Sequence, residues 1–196
     1  MKTYNEVKLA QELIRFKTIY TKDEKITKFL SGKLSSIGFK CKIIKSKGTG
    51  SKSALNLYAR FGKSKPHINF LGHTDVVTNL SNWKIPPFKG IVRKGFLHGR
   101  GSQDMKGGIA CWISAVSNFI KSKKFKGSIS IIISADEETT GYGCPSVIKY
   151  LKKKSEKIDF CIVGEPSSNK SVGDEIRIGR RGSMNGIITV YGKSGH

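Results

Sequence analysis

The sequence predicts an α/β protein, a mixed sheet flanked by helices. Three observations predict it. Between residues 5 and 163, segments with apolar residues at helical spacing alternate with short strand-like runs. One run, Ser128-Ile129-Ser130-Ile131-Ile132-Ile133-Ser134, is β-branched enough to be covered on both faces. Another, residues 68–71, leads into Gly72-His73-Thr74-Asp75 and would deliver an imidazole to the rim of the sheet.

The elements follow in order. Residues 5–17 read as an amphipathic helix with Val7, Ala10, Leu13, Ile14 and Phe16 on its apolar face. Residues 21–37 read as a second helix, with Ile26, Phe29, Leu30, Leu34 and Ile37 inward. Thr21 and Glu24 have capping-box spacing at its start, and Gly38 stops it. Residues 41–44 form a short strand, 46–53 a turn, 55–61 an alternating strand and 68–71 a central one. Residues 77–90, with Trp83, Pro86, Pro87 and Phe88, lack periodicity and form a loop over the rim. A hairpin over 91–97 turns at Lys94-Gly95. Residues 107–120 are helical, 128–134 a buried strand, 142–151 helical and 160–163 another buried strand. The tail changes character: 175–181 and 184–191 read as polar, alternating strands that begin an antiparallel unit. A boundary is therefore expected near residues 179–183, dividing 1–179 from 180–196, the start of a second unit.

Composition sets limits. The chain of 196 residues carries 36 basic and 14 acidic residues, a formal charge of +22. Its lysines are scattered and not interleaved with aromatic residues that would stack bases, so no nucleic-acid partner is expected. The excess charge suits attraction of a small anionic substrate. No run approaches the roughly 18 apolar residues of a membrane span, and residues 1–6 hold no signal-peptide core, so the expected compartment is the cytoplasm. Cys41, Cys111, Cys144 and Cys161 lack close metal-type spacing. Cys111 and Cys161 lie in apolar runs and read as core residues.

The chemistry concentrates in His73, Asp104, Glu138 and Glu165, with Asp75 and Glu137 beside them. One imidazole with several carboxylates suits Zn²⁺, and also Co²⁺ or Mn²⁺. An aspartate has two oxygens and can bridge two such ions. The adjacent Glu137 and Glu138 fit a division between acid–base work and metal binding, provided a turn brings both to one site. Residues 139–143 can supply it. Asp104 also reads as a helix N-cap, Glu137-Glu138 as a solvated helix start, and Glu165 as a surface residue before a proline.

Six stretches resemble the M20 family of zinc-dependent amidohydrolases and peptidases. They are Gly72-His73-Thr74-Asp75-Val76-Val77, the Trp83 segment with its Pro-Pro-Phe, Gly99-Arg100-Gly101 with Asp104-Met105-Lys106-Gly107, Asp136-Glu137-Glu138, Gly164-Glu165-Pro166-Ser167-Ser168, and Gly179-Arg180-Arg181-Gly182-Ser183. The resemblance implies a zinc-peptidase-like catalytic domain with an inserted dimerisation (lid) domain, and a homodimer. It implies that His73, Asp104 and Glu165 hold a first zinc, that Asp104 bridges to a second held by Glu138, and that Asp75 orients His73. It assigns Glu137 as general base and acid, Arg180 to a substrate carboxylate, and His196 to the oxyanion of the partner subunit's site. The stretch 172–183 points within the family to hydrolysis of N-succinyl-LL-2,6-diaminopimelate, ahead of acetylornithine deacetylation or carboxypeptidase and dipeptidase activity.

Two departures stand out. The family takes a late histidine as the second zinc's last ligand; His196 is the final residue here, and His67 and His98 sit in the wrong contexts to replace it. The chain therefore reads as an N-terminal fragment, expected to be inactive alone, of a longer active protein. Thr139-Thr140-Gly141-Tyr142 differs from the usual run after Asp-Glu-Glu. The rival from another class is a basic binding module, or a fragment that binds one metal without turnover.

Overall fold

A computed structural model describes residues 2–19, 24–47, 53–78, 81–122, 125–179, 182, 184, 186–193 and 195. They fall into two compact units, Met1–Pro166 and Ser167–His196.

The first unit begins with α1 (Glu6–Ile14), which buries Leu9, Ala10, Leu13 and Ile14. Asn5 caps it: its side chain accepts from the Lys8 amide at 3.0 Å. Val7, expected inward, is exposed, and Leu9 takes its place on the packed face. Ala10, Leu13 and Ile14 are buried as expected, and Phe16 packs against the core, so only the edge of the apolar face differs from the sequence reading. Helix α2 (Glu24–Ser35) buries Ile26, Thr27, Leu30 and Leu34. Gly38, at φ +93°, ends the turn that follows it, as expected. The Thr21 end of the capping box lies outside the described residues.

Strands β1 (Lys40–Lys47) and β2 (Ser53–Gly62) pair antiparallel from Lys40 opposite Arg60 to Lys47 opposite Ser53. Strand β1 thus runs through Ser46 and Lys47, which read as turn in the sequence. The other strands of the main sheet are β3 (His67–His73), β6 (Ser128–Ser134) and β7 (Phe160–Val163). Their order is β1-β2-β6-β3-β7, with β2 antiparallel to β6 and β3 parallel to both β6 and β7. The sheet is therefore mixed, as expected. A separate ribbon pairs β4 (Ile91–Arg93) with β5 (Phe96–His98). Its two-residue turn, Lys94 at φ +51° and Gly95 at φ +79°, has the left-handed geometry that matches strand twist.

Helix α3 (Lys106–Ser122) connects β3, through the ribbon, to β6, and α4 (Gly143–Lys153) connects β6 to β7. The first connection moves one way across the sheet and the second steps back over β3. Right-handed crossovers then put α3 and α4 on opposite faces. The core shows this. Ile129, Ile131 and Ile133 pack with Leu57, Phe70 and the buried faces of α1, α2 and α3. Ile132, one residue out of phase, packs with Tyr58, Val147 and Leu151 under α4. Every residue of β6 is buried. Ile131→Ala should therefore destabilise this unit by about 2–5 kcal/mol, read as a fall in the urea midpoint by circular dichroism. A loss below about 1 kcal/mol would contradict the two-sided burial.

Strand β7 differs from expectation. It is an edge strand and its residues are exposed, Cys161 and Ile162 among them. A short apolar run has the same periodicity whether it lies in the middle of a sheet or at its rim. Cys111 is also exposed, not in the core.

In the second unit the Asp174 carboxylate accepts from the amides of Asn169, Lys170 and Ser171, and Ser168 Oγ accepts from the Gly173 amide. No strand forms among its described residues, so residues 175–179, 184 and 186–191, expected in strands, are not in strands; the rest of the expected strands lies outside the described residues. Ile176, Ile178, Ile187, Ile188 and Val190 stand almost fully exposed. An alternating segment becomes a strand only where another backbone accepts its hydrogen bonds.

Candidate metal centre

Strands β3 and β6 lie side by side, and the chain leaving each goes to an opposite face of the sheet. Such a switch leaves a crevice at the carboxyl ends of the strands. His73 ends β3 directly opposite Ser134, which ends β6. The sequence places its acidic stretches in the segments that leave these strands.

The His73 ring is buried, and Nε2 faces carboxylates on three sides. Asp104 Oδ1 lies at 3.1 Å, Glu165 Oε1 at 3.4 Å and Glu137 Oε2 at 3.9 Å. The ligating atoms of His73, Asp104 and Glu138 lie within 4.8 Å of one another, as do those of His73, Glu137 and Glu165. The structure thus gathers His73, Asp104, Glu137, Glu138 and Glu165 from four separate segments. Arg180 and His196 lie outside the described residues.

Asp75 serves two partners. Its backbone carbonyl is the nearest acceptor for His73 Nδ1, at 3.1 Å, with its carboxylate Oδ1 at 3.5 Å. Its Oδ2 accepts from the Glu138 amide at 2.8 Å. One buried aspartate therefore touches both the imidazole and the backbone of the acidic pair. The second contact was not foreseen, because no spacing rule links residues 63 apart.

The turn that presents Glu137 and Glu138 begins at Asp136, fully buried at φ +65°. Its carboxylate accepts from the hydroxyls of Thr139 and Thr140, and its carbonyl accepts from the Gly141 amide at 2.8 Å. This is the turn the two glutamates needed. The threonines that depart from the family's usual run are the residues that hold it. Gly143 lets α4 start against the sheet: a Cβ there would sit 2.2 Å from the Ala135 carbonyl oxygen. Sequence reasoning also passed over Lys106. It is fully buried, and its Nζ donates to the Phe16 carbonyl at 2.8 Å, tying the start of α3 to the segment after α1.

The electrostatics are those of a donor set short of positive charge. Burial alone would lower the His73 pKa, but hydrogen bonds to Asp104 and Asp75 and the charges of Asp75 and Glu165 outweigh it and push it up to about 11. Glu165 is pushed up to about 7, first by burial and then by Asp104 and Glu137, against the pull of His73. Glu138 is raised by burial and by the neighbouring carboxylates. Asp104 is lowered by its hydrogen bond to His73. Oδ1 of Asp75 is buried and lies at a long 3.5 Å from His73 Nδ1. A divalent cation answers this excess of oxygen ligands, and the residues fit one.

The chain belongs to peptidase family M20/M25/M40, whose model matches residues 70–190. Membership implies a divalent metal at such a centre. Among curated relatives, a protein named succinyl-diaminopimelate desuccinylase from Pelagibacter ubique (strain HTCC1062) is 50% identical over 200 residues, spanning 100% of this chain and 52% of its own. One of the same name from Ehrlichia canis (strain Jake) is 46% identical over 97% of this chain and 50% of its own. A third, from Gluconobacter oxydans (strain 621H), is 41% identical over 97% and 50%. The chain spans about half the length of the curated relatives it matches. The fold is also that of human carnosine dipeptidase 1, with a TM-score of 0.72 at 20% identity over 81% of this chain and 37% of that one. An M20 family metallo-carboxypeptidase from Sulfolobus solfataricus gives 0.71 at 19% identity over 83% and 37%. No helix among the described residues is long and apolar enough to cross a membrane.

Proposed function

We propose that this chain carries the metal-binding part of a hydrolase that cleaves the succinyl amide of N-succinyl-LL-2,6-diaminopimelate, releasing succinate and LL-2,6-diaminopimelate for diaminopimelate and lysine biosynthesis. The convergence of four carboxylates on His73 carries the reading, and relatives of 41–50% identity that bear that name support its substrate. His73, Asp104 and Glu165 would hold one Zn²⁺, and Asp104 with Glu138 would contribute to holding a second; Co²⁺ could replace either. A bound divalent cation lowers the pKa of water and polarises a carbonyl.

The protein's own groups do the rest. Asp75 fixes the His73 ring and, through the Glu138 amide, the acidic turn. Glu137 takes the proton of the attacking water and gives it to the departing amine nitrogen. Its side chain is nearly half exposed, at 46%, whereas that of His73 is 3%, as suits a proton carrier facing substrate beside a sealed ligand. Arg180 pairs with a substrate carboxylate, for which a planar guanidinium is matched. His196 stabilises the oxyanion in the partner subunit's site of a homodimer. Residues 1–179 form the catalytic domain, and 180–196 begin the dimerisation domain. The substrate is a soluble amino-acid precursor, and we place the reaction in the cytoplasm.

The direct test is hydrolysis of N-succinyl-LL-2,6-diaminopimelate by a protein of the relatives' full length containing this chain, beside N-acetylornithine and dipeptides. Preference for either of the latter overturns the substrate.

Metal uptake should release protons. An imidazole coordinates only through an unprotonated nitrogen, and His73, at about 11, carries its proton below that pH. Glu165, at about 7, adds a second proton below neutrality. About one proton per first ion is expected near pH 8, rising toward about two near pH 6, so apparent affinity falls as pH falls. Calorimetric titration with Co²⁺ in two buffers of different ionisation enthalpy measures this. Uptake at pH 8 without proton release would overturn the raised pKa of His73 in the metal-free site.

A further inference from the structure

A cleft of about 360 Å³ opens between α4 and the β1–β2 ribbon. It lies toward the Gly62 end of β2, which pairs with Ser128 at the start of β6. The metal centre lies at the other end of that strand. The cleft is lined by Lys40, Lys42, Tyr58, Arg60, Lys63 and Tyr150, with Cys41 and Gly62.

Its charge is one-sided. Lys40 stands directly opposite Arg60, and Lys42 opposite Tyr58, across the antiparallel pair. Like charges in such positions repel. Arg60 has one counter-ion, Glu156, and also donates to Ser128 Oγ at 2.8 Å. Lys40, Lys42 and Lys63 form no ion pair among the described residues. The floor also holds a donor without an acceptor: Arg60 Nε is buried and makes no hydrogen bond. The buried Tyr58 hydroxyl lies beside Ser130 and Glu156, and burial pushes it up to about 12, so it keeps its proton. A volume near 360 Å³ is within the range of small-ligand sites. Three ammonium groups around the unused Arg60 Nε fit a compact ligand with several anionic oxygens.

We propose that this cleft is a second binding site, separate from the metal centre, and takes a small phosphate-bearing polyanion.

Pyrophosphate is the probe, titrated at constant ionic strength into ¹⁵N-labelled protein. Amide shifts are expected at Lys40, Lys42, Tyr58, Arg60, Lys63 and Tyr150. The triple variant Lys40→Gln, Lys42→Gln, Lys63→Gln should weaken binding about tenfold or more, the worth of one lost charged hydrogen bond. The control Lys8→Gln, Lys25→Gln, Lys121→Gln removes the same charge from α1, α2 and α3 and should change it by less than about twofold. Equal weakening by both variants would reduce the effect to net charge and overturn the site. Shifts confined to His73, Asp104 and Glu165 would overturn it by assigning the anion to the metal centre. Citrate binding as tightly as pyrophosphate would overturn the phosphate preference. Tighter uptake of single-stranded RNA by the same residues would make the cleft part of a nucleic-acid surface instead.

Discussion

Glu137→Gln should leave metal uptake nearly unchanged and lower kcat by roughly 10²–10⁴-fold in a protein of the relatives' full length, the usual cost of a lost acid–base group. The geometry separates the two effects. Glu137 Oε2 is the most distant of the three carboxylate oxygens around His73 Nε2, at 3.9 Å against 3.1 and 3.4 Å. Glutamine keeps the size and polarity of the side chain but cannot take a proton from water. Stoichiometric Co²⁺ binding with turnover abolished is the expected pair of results. A variant that keeps more than about a tenth of kcat would remove Glu137 from the proton path. A variant that loses the metal would make Glu137 a ligand, the role that its proximity to His73 and Glu165 also permits.

The second large effect is expected at His73. His73→Ala should weaken binding of the first ion by more than the roughly 10–100-fold that loss of an outer-shell partner costs. The change removes the only nitrogen ligand of the gathered set, and Asp104, Glu137 and Glu165 are left to repel one another around the gap. Asp75→Asn provides the scale. Its amide keeps an oxygen for one partner, so its cost should stay within that 10–100-fold range. Equilibrium competition with a chromophoric chelator measures both. An His73→Ala protein that binds the ion as tightly as Asp75→Asn would place the cation elsewhere among the carboxylates.

Much of this was legible in the sequence, for identifiable reasons. Strand β6 is a run of isoleucines between serines, and only a strand covered on both sides buries such a run. Strand β3 was marked by its apolar lead into His73. The hairpin at Lys94-Gly95 was marked by a turn pair with a single good solution. The site was legible because its side chains are of uncommon types in a recognisable order. What escaped depends on contacts between distant segments. The exposure of β7 depends on which strands flank it, and four apolar residues do not encode that. The exposure of Val7 in α1 was missed because Val7 and Leu9 are both apolar and lie at opposite edges of the packed face, and only the neighbouring elements select between them. The role of Asp136 was hidden because it reads as part of an acidic cluster, while the fold uses it to bind two threonine hydroxyls. The tail's alternation is real, but it satisfies only half of what a strand requires.

The switch between β3 and β6 carries a mechanical consequence. The groups around His73 are rooted in layers on opposite faces of the sheet: Asp104 leads into α3 on one side, and Glu137 and Glu138 lead into α4 on the other. A cation held by both segments would act as a rivet through the sandwich, and each loop would then open only when the ion lets go. Amide hydrogen exchange should register this as slowing, on metal addition, at 136–141 and 100–105 together, while β1 and β2 keep their rates.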